Sequence, residues 1–402
     1  MPGLAYKNGS LLMHENRWAQ LWTSAGLLWF LLAIAFAPSN KLYQQGLVVF
    51  LWLPTLVLAW SARAHLLEVW NAQRLLCVAV LSLLGWAALS LIWSGSPDTG
   101  REVKRLVYIS VFLLFFPVLA AGRPERLINL MQWGAILLGV AAVVSIYQFY
   151  GVGGQAWLAR LAGIGELSHP ILGAYVIGAA AIWLLHWPSR YNSVHILRFL
   201  ALVLLAAFVA LGQSRGAVLA VLLTIVAMPL WCRGRRSILL ALGTVVAAGV
   251  GYWLLESLVL ARGLSYRPEI FQVSLQMIAE HPLRGLGLGA PYVVVSNGVQ
   301  FDHSHNMLTH IALELGLPGL ALWLAVWFAV FLGAWRKRDT QLGRGVLGLW
   351  VFSTLAMQFD AASLSGTPRA EWFITWLPVG LATVLTWAHA QGRACDKIAR
   401  SS

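Results

Sequence analysis

Asp302, His303 and His305 fall within four consecutive residues, with Ser304 between the histidines and Asn306 directly after them. A neutral imidazole just ahead of a helix start can take a proton from a hydroxyl near neutral pH. The same residues could cap a helix, or could begin a metal site. Two histidines and one aspartate are too few for a closed metal site, and no further ligand stands close to them. The aspartates are Asp98, Asp302, Asp339, Asp360 and Asp396, with no Asp-x-Asp pair. That argues against a divalent cation holding a pyrophosphate. Neither metal nor cofactor is expected. Arginines can do that work instead, because guanidinium forks match phosphate oxygens bidentately and keep their charge.

These residues sit in a chain built for lipid. Of 402 residues 59% are hydrophobic and 11% charged, against about 25% charged in soluble domains. Twenty-one Trp suit membrane interfaces, where an indole is apolar on one side and wet on the other. The apolar runs are continuous rather than alternating, which excludes a β-barrel. The expected fold is an all-α polytopic integral membrane protein, one transmembrane domain over 1–402. With about 20 apolar residues per crossing, spans fall near 19–38, 44–62, 75–94, 105–121, 128–149, 170–187, 196–213, 216–232, 237–257, 318–335, 343–361 and 371–390. That gives about twelve helices and one large outer loop, 258–317. The polar first 18 residues lack the pattern of a cleaved signal, so the first span is expected to be retained.

The net charge of +13 would suggest nucleic acid in a soluble protein; here it orients membrane helices, and no nucleic acid is expected. With the N-terminus inside, eighteen of the 28 Lys and Arg fall in inner segments and the remaining ten outside. Both termini are therefore expected in the cytoplasm. Cys77, Cys232 and Cys395 have no metal spacing and fall near inner ends, so no disulfide is expected.

The outer basic residues run against this bias. Snorkelling to lipid phosphates accounts for Lys41, Arg160 and Arg369. It does not account for Arg215, which the short GQSRGA segment places at the tip of a tight hairpin between two spans. A charge so close to the membrane usually faces a cavity or a bound anion. Arg101, Lys104 and Arg105 form a second outer group that could bind phosphate or anchor the surface. Arg262, Arg267 and Arg284 form a third, within the large loop.

Inside that loop Pro268 and Glu269 read as a first helical turn. Ile270, Phe271, Ser274, Leu275 and Ile278 give a mostly apolar face, and Pro282 ends the helix. RGLGLGAP reads as a flexible turn and is not a dinucleotide fingerprint. A second short helix is expected from Asn306 to Leu315, stopped by Gly316 and Pro318. Glu314 and Asp360 fall near the same face, as paired charges or site members.

On residues alone two readings stand level: an enzyme acting on a phosphorylated or pyrophosphorylated lipid, or a transporter that binds an anion. Three motifs shift the balance. His305-Asn306 followed by nine residues and Gly316 resembles the hallmark of the O-antigen ligase and polymerase superfamily. RPEIFQVSLQMIAEHPLRGLGLG is similar to that family's Arg-rich loop ending P-x-x-G-x-G, and QSRGA matches its hairpin two spans earlier. The motifs cover roughly residues 200 to 335.

The resemblance implies a GT-C-like membrane glycosyltransferase, an O-antigen ligase, with an O-antigen polymerase as the alternative and a transporter below it. The donor would be O-antigen on undecaprenyl pyrophosphate and the acceptor lipid A–core, joined at the periplasmic face of the inner membrane. His305 would be the base, with Arg215 and Arg267 holding the pyrophosphate. His303, Arg101, Lys104, Arg105, Arg262, Arg284 and Asn306 would contact substrate. The transfer would invert the anomeric carbon and need no metal.

Overall fold

The computed structural model describes residues 17–121, 123–187, 192–260, 266–296, 298–360 and 363–388. Arg262, Cys395 and both termini lie outside them. In chain order the helices are α1 (Arg17–Phe36), α2 (Asn40–Ala59, with a π-helical turn at Val48–Trp52), α3 (Arg63–Ala72) and α4 (Arg74–Ser90). Then come α5 (Thr99–Ala120), α6 (Pro124–Val152), α7 (Pro170–Leu185), α8 (Asn192–Leu211), α9 (Arg215–Leu230) and α10 (Arg235–Leu260). Next come α11 (Arg267–Glu280) and a hairpin of β1 (Val294–Ser296) and β2 (Val299–Phe301). The chain closes with α12 (Met307–Arg336), α13 (Gln341–Ala356) and α14 (Trp376–Thr383).

This is an all-α polytopic membrane protein. In lipid every backbone polar group must be satisfied within the chain, and helices do that alone. A helix stands at each of the twelve expected places, but length separates them. Seven described helices are long and apolar enough to cross a membrane, or eight if α3 and α4, bent by 99° at Gln73, act as one span. α7 has 16 residues, about 24 Å of rise, against roughly 30 Å of hydrocarbon. It is buried from Gly173 to Leu184, packed among α6, α8, α9 and α13 rather than facing lipid. α13 and α14 are also short and buried along most of their length.

One continuous core joins α1, α2, α4 to α9 and α12 to α14. Phe30, Phe112, Phe115, Phe116, Trp323, Trp372 and Trp376 fill its centre, all fully buried. α10 contributes little to it and keeps most of its side chains exposed, as a lipid-facing helix would.

The segment from α11 to the start of α12 is fastened to this frame. α11 starts at Arg267 with Pro268 in its first turn, and ends at Glu280 before Pro282. It buries Ile270, Ser274 and Ile278, while Phe271 and Leu275 stay exposed, so its packed face is narrower than the sequence suggests. The RGLGLGAP segment is not a free turn. Leu286 and Gly287 donate backbone N–H bonds to Leu313 and Glu314, and Leu288 N–H donates to Ser90 Oγ. Ser94 Oγ and Trp93 Nε1 donate to the carbonyls of Leu288 and Arg284. Val294–Ser296 and Val299–Phe301 pair as the hairpin, and the Asn-Gly dipeptide of the sequence between them is a turn signal that could have been read from sequence.

Candidate active site

Asn306 organises the histidine end. Its Oδ1 accepts from Leu308 and Thr309 N–H at 2.9 and 3.2 Å, capping α12, and its Nδ2 donates to Gln358 Oε1 at 3.0 Å. An asparagine cap is worth about 1 kcal/mol. Both polar groups of the side chain thus have partners within the protein. Met307 N–H donates to the Met357 carbonyl, so the turn after α13 is tied to the start of α12.

That tie brings Asp360 to the histidines. Its Oδ1 lies 3.1 Å from His305 Nδ1 and 3.3 Å from His303 Nε2. His303 Nδ1 lies 2.7 Å from Asp302 Oδ1, and the two imidazoles sit 3.9 Å apart, centre to centre. The rings therefore differ. His303 has a carboxylate oxygen beside each nitrogen, an arrangement that favours the protonated ring. Burial alone would lower its pKa, but the bonds to Asp360 and Asp302 outweigh that and raise it. His305 has a carboxylate on Nδ1 only, and no protein partner is assigned to its Nε2 among the described residues. A proton fixed on Nδ1 leaves Nε2 free to accept one. Asp360 lies past the end of α13; burial opposes its charge, yet the two histidines hold its carboxyl far below the usual range.

Next to this cluster is a cavity of about 310 Å³ lined by Arg160, Tyr175, Gln213, Arg215, Arg267 and Phe359, among others. Gly216 shows why the hairpin carries Arg-Gly: a Cβ there would lie 2.6 Å from Phe359 Cβ, so only glycine lets α9 pack on the residue preceding Asp360. His169, held below the ordinary imidazole range mainly by burial, also feels Asp360, Arg160 and His303. It links the cavity electrostatically to the histidines.

Backbone strain collects at the same place. Among the described residues, the non-glycine residues at positive φ are Gln213 (47°), Tyr266 (42°) and His305 (52°). They are a cavity-lining residue, the residue before Arg267, and the candidate base itself. Each costs roughly 1–2 kcal/mol, and such strain concentrates at functional sites.

The other expected contacts are distributed differently. Arg105 Nη1 bonds both oxygens of buried Glu102, at 2.7 and 2.9 Å, and Arg101 lies 3.6 Å from it. Those two arginines balance an internal carboxylate. Lys104 and Arg284 are exposed and do not line the cavity. Glu314 is spoken for as well, accepting from Gly289 N–H and lying 3.3 Å from His310 Nε2. Sequence reading named Asp360 without giving it the histidines, and gave Arg160 to the lipid surface; both partnerships run between distant segments. His303, His305 and Asp360 are also the described group that could hold a metal ion, their ligand atoms lying within 4.8 Å of one another.

Comparison with known proteins fits this geometry. A protein-family profile described as "O-Antigen ligase" matches residues 200–324, the stretch carrying Arg215, Arg267, His303 and His305. An O-antigen ligase from Pseudomonas aeruginosa (strain PAO1) is 31% identical over 315 residues, 77% of each chain. The protein therefore belongs to the O-antigen ligase family.

Proposed function

We propose that this protein moves preassembled O-antigen from undecaprenyl pyrophosphate to a sugar hydroxyl of lipid A–core oligosaccharide. The reaction takes place at the periplasmic face of the inner membrane, with both chain termini in the cytoplasm. The observation that carries this reading is the adjacency of two devices: an imidazole oriented by one carboxylate, and a cationic cavity that suits a pyrophosphate.

In this reading His305 Nε2 accepts the proton of the acceptor hydroxyl. The hydroxyl oxygen bonds to the anomeric carbon as the bond from that carbon to the phosphate oxygen breaks. The electron pair departs with undecaprenyl pyrophosphate, and configuration at the carbon inverts. Arg215 and Arg267 meet the charge developing on the leaving oxygen, so catalysis is electrostatic and needs no metal. Asp360 keeps His305 in the tautomer with Nε2 unprotonated, and His303 Nε2 holds the same Asp360 oxygen. In this reading α11, which begins at Arg267, borders the cavity on its periplasmic side.

Deleting the gene tests the reading in the host. Bare lipid A–core with polymerised glycan stranded on the lipid carrier supports it. Core capped with single repeats would indicate a polymerase, and an unchanged ladder of chain lengths would rule out both.

A further inference from the structure

We infer that Tyr266 and Phe301 form an aromatic platform on which the acceptor sugar ring stacks while its hydroxyl is held at His305; this rests on the function proposed above. Tyr266 directly precedes α11, and Phe301 ends β2. Their ring centres lie 5.9 Å apart, and Phe301 meets His305 edge-on at 6.1 Å. With His303 stacked 3.9 Å beyond His305, four rings follow one another from the start of α11 to the candidate base.

Packing accounts for only part of this row. Phe301 pairs across the hairpin with Val294, which is fully buried, yet Phe301 itself stays partly exposed. Tyr266 is 49% exposed. It also holds φ 42°, in the left-handed region that asparagine and glycine tolerate and a bulky side chain rarely adopts. The turn uses only the Tyr266 carbonyl, which accepts the Ile270 N–H at 2.9 Å. The strain is therefore borne by a ring that the turn does not need, the pattern of a functional position.

Sugar chemistry matches these rings. A pyranose presents polarised C–H bonds on its faces and hydroxyls around its edge, so an aromatic face can hold the ring while one hydroxyl meets a base. A hydroxyl held at His305 Nε2 brings its sugar against whatever borders the imidazole. Phe301 borders it, and Tyr266 extends the surface. The cavity that suits the pyrophosphate is lined by Arg267 but by neither ring, so the platform falls to the acceptor.

The test is steady-state transfer by the full-length protein in lipid nanodiscs, with lipid A–core and undecaprenyl-pyrophosphate-linked O-antigen varied in turn. Tyr266→Asn removes the ring but suits the left-handed turn, and Phe301→Leu removes the ring but keeps an apolar side chain opposite Val294. The inference predicts that each raises KM for lipid A–core roughly three- to tenfold, the scale of one aromatic contact. KM for the donor should stay close to wild type, and Tyr266→Asn should melt no lower than wild type. Tyr266→Phe, which keeps the ring, should keep the acceptor KM close to wild type. An unchanged acceptor KM in Tyr266→Asn or Phe301→Leu would overturn the inference. So would a rise confined to the donor KM, or a rise in Tyr266→Phe as large as in Tyr266→Asn. Wild-type protein that transfers no glycan between these two substrates would instead overturn the function on which the inference rests.

Discussion

Gly285 and Gly316 meet backbone to backbone. A Cβ on Gly285 would lie 2.5 Å from the Gly316 nitrogen, and one on Gly316 would lie 3.0 Å from the Gly285 nitrogen. Both hold positive φ, 63° and 68°. At Gly316 the helical path of α12 breaks, and the Leu317 N–H turns to the Pro282 carbonyl. The two glycine motifs of the sequence are thus two halves of one lock, which holds α11 and the start of α12 together and with them Arg267 and His305.

Alanine at either glycine meets backbone rather than a movable side chain. Strain at positive φ costs roughly 1–2 kcal/mol, and the clash adds to it. Gly316→Ala and Gly285→Ala should each lower the melting temperature of the purified protein by several degrees and reduce transfer strongly. Because both break the same contact, the double variant should lose less stability than the summed single losses, which a thermal-stability series will check.

The paired histidines predict a pH dependence of stability. His303 has a raised pKa in the fold, so its ion pairs stabilise fully below the ordinary imidazole value of 6.5 and fade as pH rises through the raised one. Asp360 runs the opposite way; its contribution is present above the ordinary carboxylate range and is lost only in strong acid. Melting temperature should therefore fall as pH climbs above 6.5, by roughly 2–4 °C for about 1 kcal/mol. Asp360→Asn should flatten that slope. A slope unchanged in Asp360→Asn would remove Asp360 as the partner of His303.

Ligand atoms within 4.8 Å of one another could admit a metal at His303, His305 and Asp360. Here those atoms already satisfy each other, and a bound cation would take His305 Nδ1 away from its carboxylate. Transfer by protein dialysed against a chelator should stay within about twofold of the untreated rate, since no ligand needs replacing. Loss of activity on chelation with recovery on adding one divalent metal would turn the cluster into a metal site.

Much of this was legible in the chain, for identifiable reasons. His303 and His305 stand out because they sit in a polar cluster within a chain that is only 11% charged, and Arg215 stands out because six residues cannot make a solvated loop. Pro268 and Glu269 marked the start of α11, and the helix expected from Asn306 marked the start of α12. Asp360 could not be paired from sequence, because 55 residues and the whole of α13 separate it from His305. Arg160 was hidden by the same kind of distance, 52 residues from the carbonyl that holds it. The RGLGLGAP turn looked flexible because glycines permit many paths; burial against Ser94, Glu102 and Glu314 selects one. Helix length misled too, since a helix buried among other helices need not be long enough for lipid.

The central claim is that His305, oriented by Asp360, removes the acceptor proton while the arginines hold the donor. The most direct measurement is the single-turnover rate of glycan transfer by purified His305→Ala protein with donor binding measured on the same sample. The account predicts a rate lower by about 10²–10⁴-fold, the usual share of a general base, with donor affinity close to wild type. A folded His305→Ala protein that binds donor and transfers at nearly the wild-type rate would contradict it.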